Sequence, residues 1–169
     1  MRNLFIFVFF CSMVLGLSSC KDDIQEPKIV VSVDQKYHIK LNKDTLLSLV
    51  NTARTSGFTC GNTYYPPVGK IEWNNVLEEA AMLNSDYMFQ FSTIGHIWSD
   101  GTNPGERITS VGYKWLTYGE NAAYGNMTEI TVIQGWLNSP GHCKNIMNHN
   151  FKFMGVTRTG DYWDQVFAN

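Results

Sequence analysis

The stretch Phe153-Met154-Gly155-Val156-Thr157-Arg158-Thr159-Gly160-Asp161-Tyr162-Trp163-Asp164-Gln165-Val166-Phe167 reads as two paired strands, 153–159 and 162–167, joined by a turn at Gly160-Asp161. Everything upstream of it reads mainly as helix. Ser139-Pro140 starts a helix, with Ser as N-cap and Pro at the first helical position, where its missing N–H costs nothing. Thr128 opens another, whose apolar side is Ile130, Val132, Ile133 and Trp136. Asn74 caps a longer helix in which Val76, Leu77, Ala80, Ala81, Leu83, Asn84, Tyr87 and Met88 line one side. From Asp44, taken as N-cap, Leu46, Leu47, Leu49, Val50 and Ala53 keep a helical period until Gly57. Helices first and a hairpin last make the class α+β, or a layered α/β sandwich.

The connections are read more coarsely. Residues 60–69, rich in Gly, Tyr and Pro, and 92–105, holding Gly, Ser, Asn, Pro and Asp, are expected to be loop, with a short helix over 106–111. Tyr113 to Tyr118 carries β-favouring aromatics and leads into Gly119-Glu120-Asn121-Ala122-Ala123. There are no internal repeats.

The 169 residues suffice for one domain with a real core, and they exclude a multidomain machine. Charged residues make up only 17%, and 13 Lys+Arg stand against 15 Asp+Glu, so the charge balance gives no electrostatic case for nucleic acid, which needs a basic face to displace counterions. The first twenty residues read as an address. Arg2 is the sole charge before Lys21, and Leu4 to Leu17 is an apolar run too short for a comfortable membrane span. Leu17-Ser18-Ser19-Cys20 resembles the bacterial lipobox, in which the cysteine is diacylated and becomes the new N-terminus; the rival reading is an ordinary signal peptide with a stray cysteine. The chain thus divides into a lipoprotein signal peptide at 1–19, the lipidated Cys20 with a polar tether to residue 43, and a domain over 44–169. The implied location is the bacterial cell envelope, exported and membrane-anchored through the lipid. The acidic run Asp22-Asp23 resembles surface-export signals of bacterial lipoproteins, and simple solvation accounts for it equally well.

With Cys11 in the leader and Cys20 on lipid, Cys60 and Cys143 remain. An oxidising compartment allows them one intramolecular bridge, worth roughly 4–5 kcal/mol in the chain-entropy model for a loop of this length. The alternative is a reactive Cys143 thiol beside His142. Of four histidines, His38 is expected to face solvent and His149 to serve a local turn. His96 and His142 lie amid polar punctuation, in Gly95-His96-Ile97-Trp98-Ser99-Asp100-Gly101 and Ser139-Pro140-Gly141-His142-Cys143. No His-Glu-x-x-His, Gly-x-Ser-x-Gly, phosphate-binding loop or Cys-x-x-Cys is present.

These segments together resemble one family. Gly119-Glu120-Asn121 is similar to the signature of the CAP superfamily: cysteine-rich secretory proteins, antigen 5 and pathogenesis-related proteins, also called the SCP domain. Ile71-Glu72-Trp73-Asn74, the His96…Asp100-Gly101…Glu106-Arg107 loop, Trp136 to Met147 in its bacterial form, and the closing hairpin follow in family order. The resemblance implies an α–β–α sandwich, a small and mostly antiparallel sheet between helical layers, with a cleft holding two histidines and two acids. His96, Glu120 and His142 match three of those positions; Ser139 stands where many eukaryotic members have the fourth, and Glu106 is the candidate in its place. Imidazoles and carboxylates are ligands for zinc or another divalent cation. Two main readings follow: a lipid-anchored binding module for a small lipid or envelope component, or a metal-dependent hydrolase using His96, Glu120 and His142 on peptide or envelope polymer. A purely architectural role would need only the fold and the lipid.

Overall fold

The computed structural model describes residues 28–169. The leader at 1–19, Cys20 and the first part of the tether lie outside the described residues. Among those described, no helix is long and apolar enough to cross a membrane.

Among the described residues, six strands and five α-helices follow one another. Helix α1 (Lys43–Ser56) is capped by Asn42, whose side chain accepts from the Thr45 N–H at 3.0 Å. Asp44, expected as the cap, sits instead in the first turn, where a carboxylate complements the helix dipole. Gly57 ends the helix at φ +74°, open to glycine and costly for other residues. The expected loop over 60–69 is partly a hairpin: β1 (Phe58–Cys60) pairs with β2 (Thr63–Tyr65) around Gly61 at φ +60°. Its Thr and Tyr content favours strand, a preference masked by the surrounding Gly and Pro.

Strand β3 (Glu72–Trp73) leads to α2 (Asn75–Phe91), where Asn74 Oδ1 accepts from the Val76 and Leu77 N–H groups. Helix α3 (Pro104–Ser110) begins two residues before the expected start, because Asn103 caps it with Pro at the first position. Strand β4 (Tyr118–Tyr124) begins only where the Tyr113–Tyr118 run ends. Helices α4 (Glu129–Asn138) and α5 (Pro140–Ile146) start at Thr128 and Ser139 as read, though the Ser139 side chain makes no capping bond. Strands β5 (Phe153–Thr159) and β6 (Tyr162–Ala168) form the expected hairpin.

The main sheet runs β3-β5-β6-β4, with β3 parallel to β5 and the other pairs antiparallel. Strand alternation gives it two apolar faces. On one, Leu77, Ala80 and Ala81 of α2 and Ile108 of α3 meet Val166 and Ala168. On the other, α1, α4 and α5 supply Leu46, Val50, Ile133, Trp136 and Ile146 against Met154, Trp163 and Phe167. The result is the α–β–α sandwich. A Cβ on Gly155 would fall 2.1 Å from the Glu78 backbone nitrogen, so α2 rests directly on β5.

Two devices clamp the second layer. Cys60 and Cys143 form a disulfide with Cα atoms 5.5 Å apart, which ties the small hairpin to α5 and removes the free-thiol alternative. Buried Arg54 donates to the carbonyls of Gly69, Ile146, Asn148 and Phe151, joining α1 to the end of α5; burial lowers its pKa to about 10.

The described part of the expected tether is laid against the domain. The Ile29 N–H donates to Asp100 Oδ2 at 3.1 Å, and the Ser32 N–H to Gln90 Oε1 at 3.1 Å. His38, expected in solvent, is half-buried: it bridges to Thr159 at the end of β5, and its Nε2 lies 2.9 Å from Asp86 Oδ1. The free end of β5 offers backbone groups that this segment satisfies.

Candidate functional site

Strand β4 is an edge strand, and Glu120 and Asn121 lie side by side on it facing opposite layers. Glu120 points toward α2, its side chain only 2% exposed. Both carboxylate oxygens are occupied. Oε1 lies 2.8 Å from His96 Nδ1, and Oε2 accepts from Arg107 Nη2 at 2.7 Å. Arg107 is buried on α3; its Nη1 donates to the His96 and Thr102 carbonyls and so fastens the 96–102 loop. The loop is further held by Trp98, which stacks on Tyr87 and donates from its indole to Asn84 Oδ1 at 3.0 Å.

Beneath this group lies Asp164 of β6, completely buried and paired in register with Ala122. Asn84 Nδ2 donates to Asp164 Oδ1 at 2.8 Å. Burial, and then the Glu120 charge, push the Asp164 carboxyl well above the usual carboxylate range. Its second oxygen, Oδ2, is buried without a hydrogen-bond partner. One arginine and one glutamate thus pair inside the protein, with a second buried carboxyl below them.

The opposite face uses amides. Asn121 Nδ2 donates to the His142 carbonyl at 3.2 Å and to Gln165 Oε1 at 3.0 Å. Asn145 Nδ2 donates to Asn121 Oδ1 and to the Glu120 carbonyl. His142 is half-buried on α5, and burial, then nearby His96, lower its pKa. It is neutral at physiological pH.

His96 accordingly meets Glu120 directly, His142 lies near His96 and is held to β4 through its backbone carbonyl, and Glu106 is not part of the group. Glu106 is exposed and accepts from the Asn103 N–H at 2.8 Å, completing the capping box of α3. Among the described residues, no three His, Cys, Asp or Glu side chains are gathered in a way that could hold a metal ion. With both Glu120 oxygens engaged and Glu106 on a cap, the residues present do not fit a resident zinc centre of three or four protein donors.

The functional-site residues that the sequence left without a role are Asn84, Arg107 and Asp164. Asn84 looked like one more position on a helix face, and Arg107 like the end of a motif. Asp164 shares strand parity with Val166, which is the signal that could have placed it inside.

The profile of the cysteine-rich secretory protein family, CAP, matches residues 47–167. The chain belongs to this family. The CAP domain is similar to an extracellular protein containing an SCP domain from Bacillus anthracis str. Ames: TM-score 0.65, 25% identity, 75% of this chain and 39% of that one. It also shares its fold with an outer surface protein of Borrelia burgdorferi: TM-score 0.65, 24% identity, 78% of this chain and 96% of that one. In sequence it is 33% identical over 99 residues to the uncharacterized protein YkwD of Bacillus subtilis (strain 168), covering 57% of this chain and 38% of the relative. It is 24% identical over 147 residues to the uncharacterized membrane protein YlbC of the same strain, covering 87% and 40%. The chain spans about two fifths of the length of these curated relatives.

Proposed function

We propose that this CAP domain is an exported binding module, held on the bacterial envelope by lipid at Cys20, in which the His–Glu–Arg group shapes the cleft and performs no catalysis. The observation that carries the reading is the engagement of both Glu120 oxygens, by His96 and by buried Arg107. A general base needs a carboxylate that can reach a substrate proton, and a hydrolytic metal needs one free to coordinate. A divalent cation reaching the cleft would meet two imidazoles, His96 and His142, and complete its shell with water. A groove of about 540 Å³ between residues 28–31 and the 98–102 loop, walled by Ile29, Val31, Leu83 and Trp98, is where a small apolar envelope molecule would lie. The extracellular and outer-surface descriptions of the two solved relatives, and the leader read at 1–19, support export.

Zinc titration by calorimetry, on the wild type and on the His96→Ala/His142→Ala double variant, tests the site. The reading expects no tight binding. Binding on the order of micromolar or tighter, absent from the double variant, would overturn it and restore the metal-dependent hydrolase. Incorporation of a labelled fatty acid that is lost in Cys20→Ser tests the anchor.

A further inference from the structure

At the far end of the sheet from Glu120, a row of aromatic rings lies at the tip of the β5–β6 hairpin, two of them exposed and two half-buried. Tyr124 is 60% exposed and Tyr37 40%. The Tyr37 ring lies 4.7 Å from Phe89, Phe89 stands edge-on 6.5 Å from Tyr162, and Tyr162 lies 4.7 Å from Tyr124. Phe89, Tyr124 and Tyr162, with Ser92, Arg158 and Asp161, line a shallow groove of about 510 Å³. Scattered exposed apolar residues are ordinary, but a contiguous run of rings beside polar groups marks a binding surface.

The rings stand on a locked frame. Arg158 donates to the Gly160 carbonyl at 2.7 Å, to the Met127 carbonyl at 2.9 Å, to Asn126 Oδ1 at 3.1 Å and to Asp161 Oδ1 at 2.8 Å. The Gly160 N–H donates to the Tyr37 carbonyl and the Gly125 N–H to the Asp161 carbonyl, both at 2.8 Å. Gly160 sits at φ +56°, and a Cβ there would meet the Phe89 ring at 2.7 Å, so that ring lies directly on the turn. A frame fixed before binding loses little entropy when a ligand arrives.

The chemistry of the surface selects among occupants. The Arg158 cation is matched by the Asp161 carboxylate, and Lys36, whose Nζ lies 5.0 Å from the Tyr37 ring centre, by Asp34, so these pairs leave no net charge to attract a phosphate or a polybasic segment. Among the described residues, Ile39 is the one aliphatic side chain lining the groove, too little for the long aliphatic face with which a helix enters a bilayer. The surface offers ring faces interleaved with phenolic and seryl hydroxyls and a carboxylate 44% exposed. A pyranose matches both kinds of group, because it has a flat C–H face and a rim of hydroxyls.

We propose that the β5–β6 tip is a platform for an uncharged oligosaccharide, with sugar rings against Tyr37, Tyr162 and Tyr124 and sugar hydroxyls bonded to Asp161 and Ser92. The proposal does not rest on the His–Glu–Arg site and stands or falls separately from it.

The full chain is titrated by calorimetry with N,N′,N″,N‴-tetraacetylchitotetraose and with cellotetraose. Saturable binding of at least one is expected, weakened roughly tenfold or more by Tyr124→Ala and by Tyr37→Ala, and largely retained by Tyr124→Phe, which keeps the ring. Both tyrosines are exposed, and an unchanged urea midpoint in each variant confirms that it folds. No saturable binding of either sugar up to roughly 10 mM, a free energy of only a few kcal/mol, overturns the proposal. So does binding that both alanine variants leave intact. Capture on phosphatidylcholine vesicles that Tyr124→Ala abolishes, in place of sugar binding, overturns it in favour of a membrane contact.

Discussion

Glu120 and Asn121 are neighbours on one strand, and they head two buried polar networks built on opposite principles. The α2 face is ionic: a carboxylate held by a guanidinium and an imidazole, over a buried acid. The α5 face is neutral, a relay of Asn121, Asn145 and Gln165 amides with no formal charge. Each fastens one histidine, the ionic network through the loop that carries His96, the amide network through the backbone of His142. A charged network holds its loop firmly but fails badly when one member is lost. An amide network has less to lose, because no unpaired charge is left behind.

The comparison breaks most directly at Arg107. Arg107→Ala leaves Glu120 buried without its cation, and a loss of about 3–5 kcal/mol is expected in urea unfolding, against about 1–3 kcal/mol for Asn121→Ala on the amide side. Equal losses would show that the charge difference does not matter. Removal of the Cys60–Cys143 bridge with serines is expected to cost about 2–5 kcal/mol and to loosen only the amide side, leaving the His96 loop protected in hydrogen exchange.

Asp164 supplies a sharper test through pH. Its folded-state pKa is raised, so the folded protein holds a proton that the unfolded chain releases above the ordinary carboxylate range. That contribution is complete below the unfolded pKa and is lost as pH climbs toward the folded one. Asp164→Asn keeps the size and the Oδ1 acceptor and removes the titration. Its stability relative to wild type is expected to improve with rising pH by up to about 1.4 kcal/mol per pH unit, and parallel stability curves would refute the buried proton. The smallest effect is at His142. Its NMR titration is expected below the ordinary imidazole range and to move only partway back in His96→Ala, because burial is the larger cause; a full return would make the neighbour's charge dominant.

How much of this was legible follows from distance along the chain. The helices and the closing hairpin announce themselves by period and by caps such as Asn74 and Thr128, all local signals. The α–β–α layering and the trio His96, Glu120 and His142 came through family resemblance, which reads order rather than contact. The ionic network escaped because Asn84, Arg107, Glu120 and Asp164 meet only once four separate elements have packed. Nothing local distinguishes an arginine that will be buried from one that will be solvated, and Arg54 escaped in the same way. Glu106 was misplaced for the opposite reason. The local capping box with Asn103 claimed it, and the pattern Asn-x-x-Glu carried that information.

The strand order β3-β5-β6-β4 has a consequence in time. Among the described residues, strand β4 pairs with β6 and no other strand, so residues 118–124 leave the ribosome before the strand they pair with, which follows some forty residues later. A nascent chain that has not reached residue 162 has neither the strand beside Glu120 nor the acid beneath it. The cleft therefore closes late in synthesis, when β6, made directly after β5, inserts between that strand and the much earlier β4.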